Sequence, residues 1–312
     1  MSAASTATVF GRAVLPAVER GRVPFWRVVL RGCSQCCFQT NEVTGAIFLA
    51  AVLTYSWYLA VFMLIGAVAG PAVAIALKAD RSLVELGLFG FNACLMGLAL
   101  GNFFARDAGL WVAVVALTVA ATFVAYGLIR LLPVPVLAAP FLVTFWLFWP
   151  VADELGLSKL QFPPFIDERV FYLRASVSAM GATLFAGTVL AGVVFFAGVL
   201  VSNWRHAVLA LVAATLAHTI AVWWNVPGQE INSGLAGFNA VLAAVAIYAF
   251  AGADVRLALL GAIVASAVLP LFGKLELVAL AGGFVLTTWV VLFLGWFQSR
   301  YFNEKPVAVP TG

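Results

Sequence analysis

The sequence predicts an all-α integral membrane fold of two inverted-topology repeats, each with about five transmembrane helices and one re-entrant helix. Three observations lead there: the chain is apolar along most of its length, one motif occurs twice, and the crossings counted per copy are odd in number. Of 312 residues, 64% are hydrophobic and 10% charged, where a soluble domain carries about 25% charged residues. Mean hydropathy is +1.08. The formal charge of +4 comes mostly from arginines at segment ends. It speaks to topology and lipid headgroups, and no basic stripe of the kind that binds nucleic acid is present.

The repeated motif is Glu85–Gly97, ELGLFGFNACLMG, echoed 147 residues later by Asn232–Ala244, NSGLAGFNAVLAA. Seven of eleven positions match between Gly87–Gly97 and Gly234–Ala244, among them Asn92 with Asn239 and Leu95 with Leu242. Two glycines and an Asn weaken a plain spanning helix. They suit a short helix that dips into the membrane and lets other backbone approach closely. The same offset relates RVPFWR (Arg22–Arg27) to RVFYLR (Arg169–Arg174), Phe38 to Phe185 and Gly45 to Gly192. An offset of 143 relates PFLVTFWLF (Pro140–Phe148) to GFVLTTWVV (Gly283–Val291). Agreement along a whole half is the mark of duplication.

The chain divides into a polar lead-in (1–21), a first repeat (22–165), a second repeat (166–300) and a tail (301–312). The start of the lead-in is expected to be mobile and the tail unstructured. Arg12, Arg20, Arg22, Arg27 and Arg31 interrupt every candidate core of a cleaved signal peptide, and the positive-inside rule places the N-terminus in the cytoplasm. Val43–Leu77 is nearly all apolar. As one helix it would run about 52 Å, too long for one crossing of a ~30 Å core. It should turn at Tyr55–Tyr58 or at Gly66–Pro71. Leu110–Leu132 and Val134–Val151 follow, parted near Pro133 and Pro135. The second half offers Ala175–Val201, Ala207–Trp224, Leu257–Leu271 and Leu277–Trp296. With the run-up Phe25–Phe38 the count per half is odd, so the second half should sit upside down and a solute path should lie between the halves. Asp153–Glu168 is polar enough for a linker outside the membrane.

Little in the chain points to catalysis. There is no nucleophile with base and orienter, no HExxH and no cluster of acids or histidines at ligand spacing. Cys33 and Cys36 form a CxxC, but no second pair follows. Small packing residues are the better reading than a metal or redox pair. No cofactor and no metal is expected. His218 stands alone in an apolar run, as a functional ionisable group or as a histidine bonded to a neighbouring carbonyl.

SQCCFQTNEVTG (Ser34–Gly45), GLFGFNACLMG, GLAGFNAVLAA and VPVLAAPF (Val134–Phe141) together resemble the pore signatures of the urea transporter family. The resemblance spans Arg22–Trp296, in both halves and in order. It implies a passive, channel-like path for urea or a close small amide in each protomer, a homotrimer, and a multi-pass place in the inner cell membrane among lipid. It makes Phe38 with Leu95 one slot wall and Phe185 with Leu242 its mirror, with Gln35 offering oxygen at one mouth. Cys36, Thr183, Asn92 and Asn239 join them as candidate pore residues. Glu85 is a mouth residue or a solvated cap beside Arg81. Where the family has a second Gln this sequence has Ala182, and where it has a Thr near the centre of each half it has Ala138 and Ala281. Gly283 replaces a Pro. An ion-coupled transporter on the same scaffold would want an acidic relay within the membrane, and a path for ammonium would want pore histidines.

Overall fold

Apolar runs become helices here wherever a polar residue can cap their first turn, and the caps recur at the repeat offset. The computed structural model describes residues 8–10, 12–13 and 22–302. The lead-in's start and the tail beyond Phe302 lie outside the described residues. Asn41 caps α2 (Glu42–Tyr55) and Thr188 caps α9 (Val189–Ser202). Ser56 caps α3 (Trp57–Ala76) and Asn203 caps α10 (Trp204–Trp223). Asp107 caps α6 (Ala108–Leu131) and Asp254 caps α13 (Val255–Ala267). Each side-chain oxygen accepts from backbone N–H groups that would otherwise lack partners.

The remaining helices also come in pairs. They are α1 (Phe25–Gln35) with α8 (Tyr172–Ala182), α4 (Arg81–Glu85) with α11 (Gly228–Asn232), and α5 (Leu88–Phe103) with α12 (Phe238–Phe250). Last come α7 (Ala139–Phe148) and α15 (Gly282–Tyr301), with α14 (Leu269–Lys274) continuing α13 past Val268. The expectation of an all-α membrane protein holds. Among the described residues the exceptions are a two-residue pairing of Thr8–Val9 with Arg12–Ala13 and an isolated antiparallel bridge between Phe104 and Lys159. Five segments among the described residues are long and apolar enough to span: Trp57–Ala76, Ala108–Leu131, Trp204–Trp223, Val255–Lys274 and Gly282–Tyr301.

Several boundaries depart from the sequence reading. Val43–Leu77 turns at Ser56, the first of the two alternatives, and Gly66–Pro71 stays inside α3. The apolar stretch Ala175–Val201 is two helices, because the chain reverses between Ala182 and Val189. The Glu85–Gly97 motif is divided at Gly87, whose φ of 82° suits glycine, and Gly234 matches it at 85°. Its helix then runs on through apolar, helix-tolerant residues to Phe103, 16 residues or about 24 Å. The helices α1 and α8 are shorter than α5, at 11 residues each, or about 16 Å.

Both α5 and α12 are apolar on every side and buried over most of their length, as such helices must be. In the first half α5 is flanked by α1, α3 and α6; in the second α12 is flanked by α8, α10 and α13. The halves meet through α2 and α9, whose Phe48 and Phe195 rings, equivalent by the repeat, stack 4.2 Å apart. Close crossings of α1 with α2 and α8 with α9 need glycine. A Cβ on Gly45 would lie 1.9 Å from the Leu30 carbonyl oxygen, and one on Gly192 1.9 Å from that of Val177. Gly45→Ala and Gly192→Ala should therefore each cost about 1–3 kcal/mol or more by overpacking. A lowered unfolding midpoint in detergent would record it. Gly127→Ala, with nothing within 4 Å of its Cβ, should leave the midpoint unchanged or raise it.

Candidate functional site

The loops after α1 and α8 are built alike. Each ends its helix in a left-handed residue, Phe38 at φ 58° and Phe185 at φ 59°. A non-glycine residue there costs about 1–2 kcal/mol. Backbone bonds offset it: Phe38 N donates to Gln35 O and Gln39 N to Ser34 O, while Phe185 N donates to Ala182 O and Ala186 N to Gly181 O. This is the Schellman closure with an aromatic residue in the position glycine usually takes. The last carbonyls of α1 and α8 are thus not bare: Ser34 O and Gly181 O each accept twice, while Gln35 O and Ala182 O each accept one backbone bond and keep a second lone pair.

The rings these turns carry cross to the other half. Phe38 lies edge-on to Phe284, centroids 5.8 Å apart, and to Phe250 at 5.7 Å. Phe185 lies edge-on to Phe141 at 6.3 Å. Phe141 and Phe284 are equivalent by the 143 offset, so exchanging the halves maps one contact onto the other. The Trp146 indole N–H donates to Val278 O, and that of Trp289 donates to Pro135 O, again an exchanged pair. Such reciprocity is the property of a two-fold interface.

Asn92 and Asn239 hold the helices that carry Phe141 and Phe284. Asn92 Nδ2 donates to Leu137 O and its Oδ1 accepts from Phe141 N. Asn239 does the same with Leu280 O and Phe284 N. Leu137 and Leu280 are both left-handed, at φ 52° and 42°, so their peptides face away from any helical partner. Both amides are wholly buried and spent on backbone.

The other sequence candidates fall nearby. Leu95, Leu242, Ala138 and Ala281 belong to one buried apolar cluster, and Phe38 and Phe185 pack against it. Ala138 and Ala281 stand at the first turns of α7 and α15. Gln35 ends α1, its Nε2 donating to Thr40 Oγ1 and Leu86 O, each at 3.0 Å. Ala182 ends α8 with no such reach. Cys36 and Thr183 follow at equivalent places, the Thr183 hydroxyl donating to Met180 O. Cys33, Cys36, Cys37 and Cys94 are free thiols, all buried. Glu85 pairs with Arg81 yet is itself buried, and its backbone oxygen accepts from Arg31. His218 meets the Ser176 hydroxyl at 3.4 Å rather than a carbonyl. Outside the spans, burial raises the carboxyl of Glu230 above its ordinary value. Sequence reasoning did not single out Phe141, Phe250 or Phe284. The signal for Phe141 and Phe284 was their alignment at the 143 offset.

The sequence profile of a known family, described as Urea transporter, matches residues 26–295. The chain belongs to the urea transporter family. Among curated relatives, urea transporter 1 of Rattus norvegicus is 26% identical over 236 residues, covering 70% of this chain and 62% of the relative. Urea transporter 1 of Ovis aries and of Mus musculus are each 25% identical over the same shares. The chain thus spans less than two thirds of these relatives' length. Urea transporter family proteins are transport proteins and not enzymes, in keeping with the lack of a catalytic constellation in the sequence.

Removing either clamp strands a buried carbonyl and a buried N–H. Asn92→Ala and Asn239→Ala should each destabilise by about 1–3 kcal/mol for every group left unpaired. Matched falls in the detergent unfolding midpoint are the expected result, and a fall at only one site would break the equivalence of the two clamps.

Proposed function

We propose that this chain is a passive, channel-like transporter of urea or a close small amide. The path runs between repeats 22–165 and 166–300, which lie upside down to one another. The protein works as a homotrimer in the inner cell membrane, each protomer with its own path. The observation that carries this reading is the exchanged contact of Phe38 with Phe284 and Phe185 with Phe141, in a chain of this family.

Urea is flat, neutral and densely polar, with two NH2 donors and one carbonyl. Stripped of water without replacement bonds, each polar group costs several kcal/mol. The second lone pairs of the Gln35 and Ala182 carbonyls, at the ends of α1 and α8, supply acceptors, as in filters lined by backbone oxygen. Gln35 adds an acceptor at the first mouth. Phe38 with Leu95, and Phe185 with Leu242, form flat slots that admit planar molecules. Ala138 and Ala281 make the centre drier and favour the less polar amides beside urea.

Stopped-flow light scattering on proteoliposomes tests the reading. Urea flux should be fast, saturable and unchanged when the proton gradient or membrane potential is dissipated. Gln35→Ala should slow it about threefold to tenfold, the worth of one hydrogen bond. Phe38→Ala should degrade selectivity for urea over dimethylurea. Flux that collapses with the proton gradient would replace this reading with an ion-coupled transporter.

A further inference from the structure

The two slots are alike in backbone but not in what braces them, and this difference rests on side chains that the second half does not repeat. Around Phe38, side chains tie the loop on every side. Glu42 Oε1 accepts from Arg27 Nε at 2.6 Å and from Arg31 Nε at 2.9 Å, and all three side chains are buried. Arg31 reaches on to Glu85 O, one residue before the Leu86 carbonyl that holds Gln35. The Ser34 hydroxyl bridges Gln39 O and Asn41 N. Gln39 Nε2 donates to Cys37 O and lies 2.9 Å from His206 Nδ1, on α10 of the other half.

Around Phe185 the equivalent positions are mute. Ser178 stands for Arg31, Val189 for Glu42, Ala186 for Gln39, and Leu59 for His206. Among the described residues, the side-chain bonds of that loop are local: Thr183 to Met180 O, and Thr188 capping α9. A loop held by buried, charge-assisted bonds opens less often than one held by its own backbone.

We infer that the Phe38 slot is the rigid, selectivity-setting constriction and the Phe185 slot a compliant one, with Glu42 and Gln39 as the positioning residues that make the difference. This rests on the transport reading above for its solute, but not for its mechanics. A rigid slot rejects a substituted urea because it cannot widen, whereas a compliant slot adjusts and passes it.

Two readouts on the full-length protein decide the matter. Hydrogen exchange in detergent, which needs no solute, should show amides of 34–41 exchanging about tenfold more slowly than those of 181–188. Gln39→Ala should erase much of that difference, and Glu42→Gln all of it where that variant folds. In proteoliposomes, Gln39→Ala should lower the ratio of urea to dimethylurea flux about threefold or more, a ratio that mere loss of folded protein does not move. Thr188→Ala, on the second loop, should leave it unchanged. Equal exchange of the two loops in the unaltered protein overturns the inference, as does a ratio that shifts equally for Gln39→Ala and Thr188→Ala. Unaltered protein that passes no urea yet keeps the exchange difference supports the braced loop and overturns only the solute reading.

Discussion

Every interrupted helix in an apolar interior leaves N–H and C=O groups that no water can reach, and this structure is arranged around satisfying them. Among the described residues, such breaks lie after α1, before α7, after α8 and before α15. Two are closed by their own backbone through left-handed Phe38 and Phe185. The other two, at Leu137 and Leu280, add to their backbone bonds a clamp from outside, by Asn92 and Asn239. An unpaired buried group costs about 1–3 kcal/mol, so the asparagines are as much a part of the backbone as of α5 and α12.

That satisfaction positions the rings. The Asn92 bond to Phe141 N sets the start of α7, and Phe141 then stands edge-on to Phe185; the mirror set does the same for Phe284 and Phe38. Close helix crossings at Gly45 and Gly192 bring the loops to the centre. Among the described residues, the buried ion pairs lie in the first half, where Glu42 meets both Arg27 and Arg31. Buried ion pairs seldom add net stability, and their worth here lies in holding one loop in one shape.

Much of this was legible in the chain. The 147 offset, read from ELGLFGFNACLMG and NSGLAGFNAVLAA, places the helix caps at Asn41 and Thr188, Ser56 and Asn203, and Asp107 and Asp254. The drop to 143 is also intelligible afterwards. It is the difference between the 24 residues of α6 and the 20 of Val255–Lys274, about one helical turn, which keeps the same face inward. The break within Ala175–Val201 was not legible. Phe185 and Leu280 carry none of the Gly or Pro signals by which a left-handed turn is usually read.

The sequence by itself determined the membrane class, the duplication and the residue pairs that answer one another, because hydropathy and recurrence are properties of a string. It also held Asn92 and Asn239 as a matched pair. Only the tertiary structure decided that both amides bind backbone, that Phe38 meets Phe284 rather than its own repeat's Phe141, and that Glu42 joins Arg27 and Arg31. Those contacts join residues far apart in the chain. Their geometry comes from how closely two glycine-lined crossings let the helices approach, a distance that no local pattern encodes.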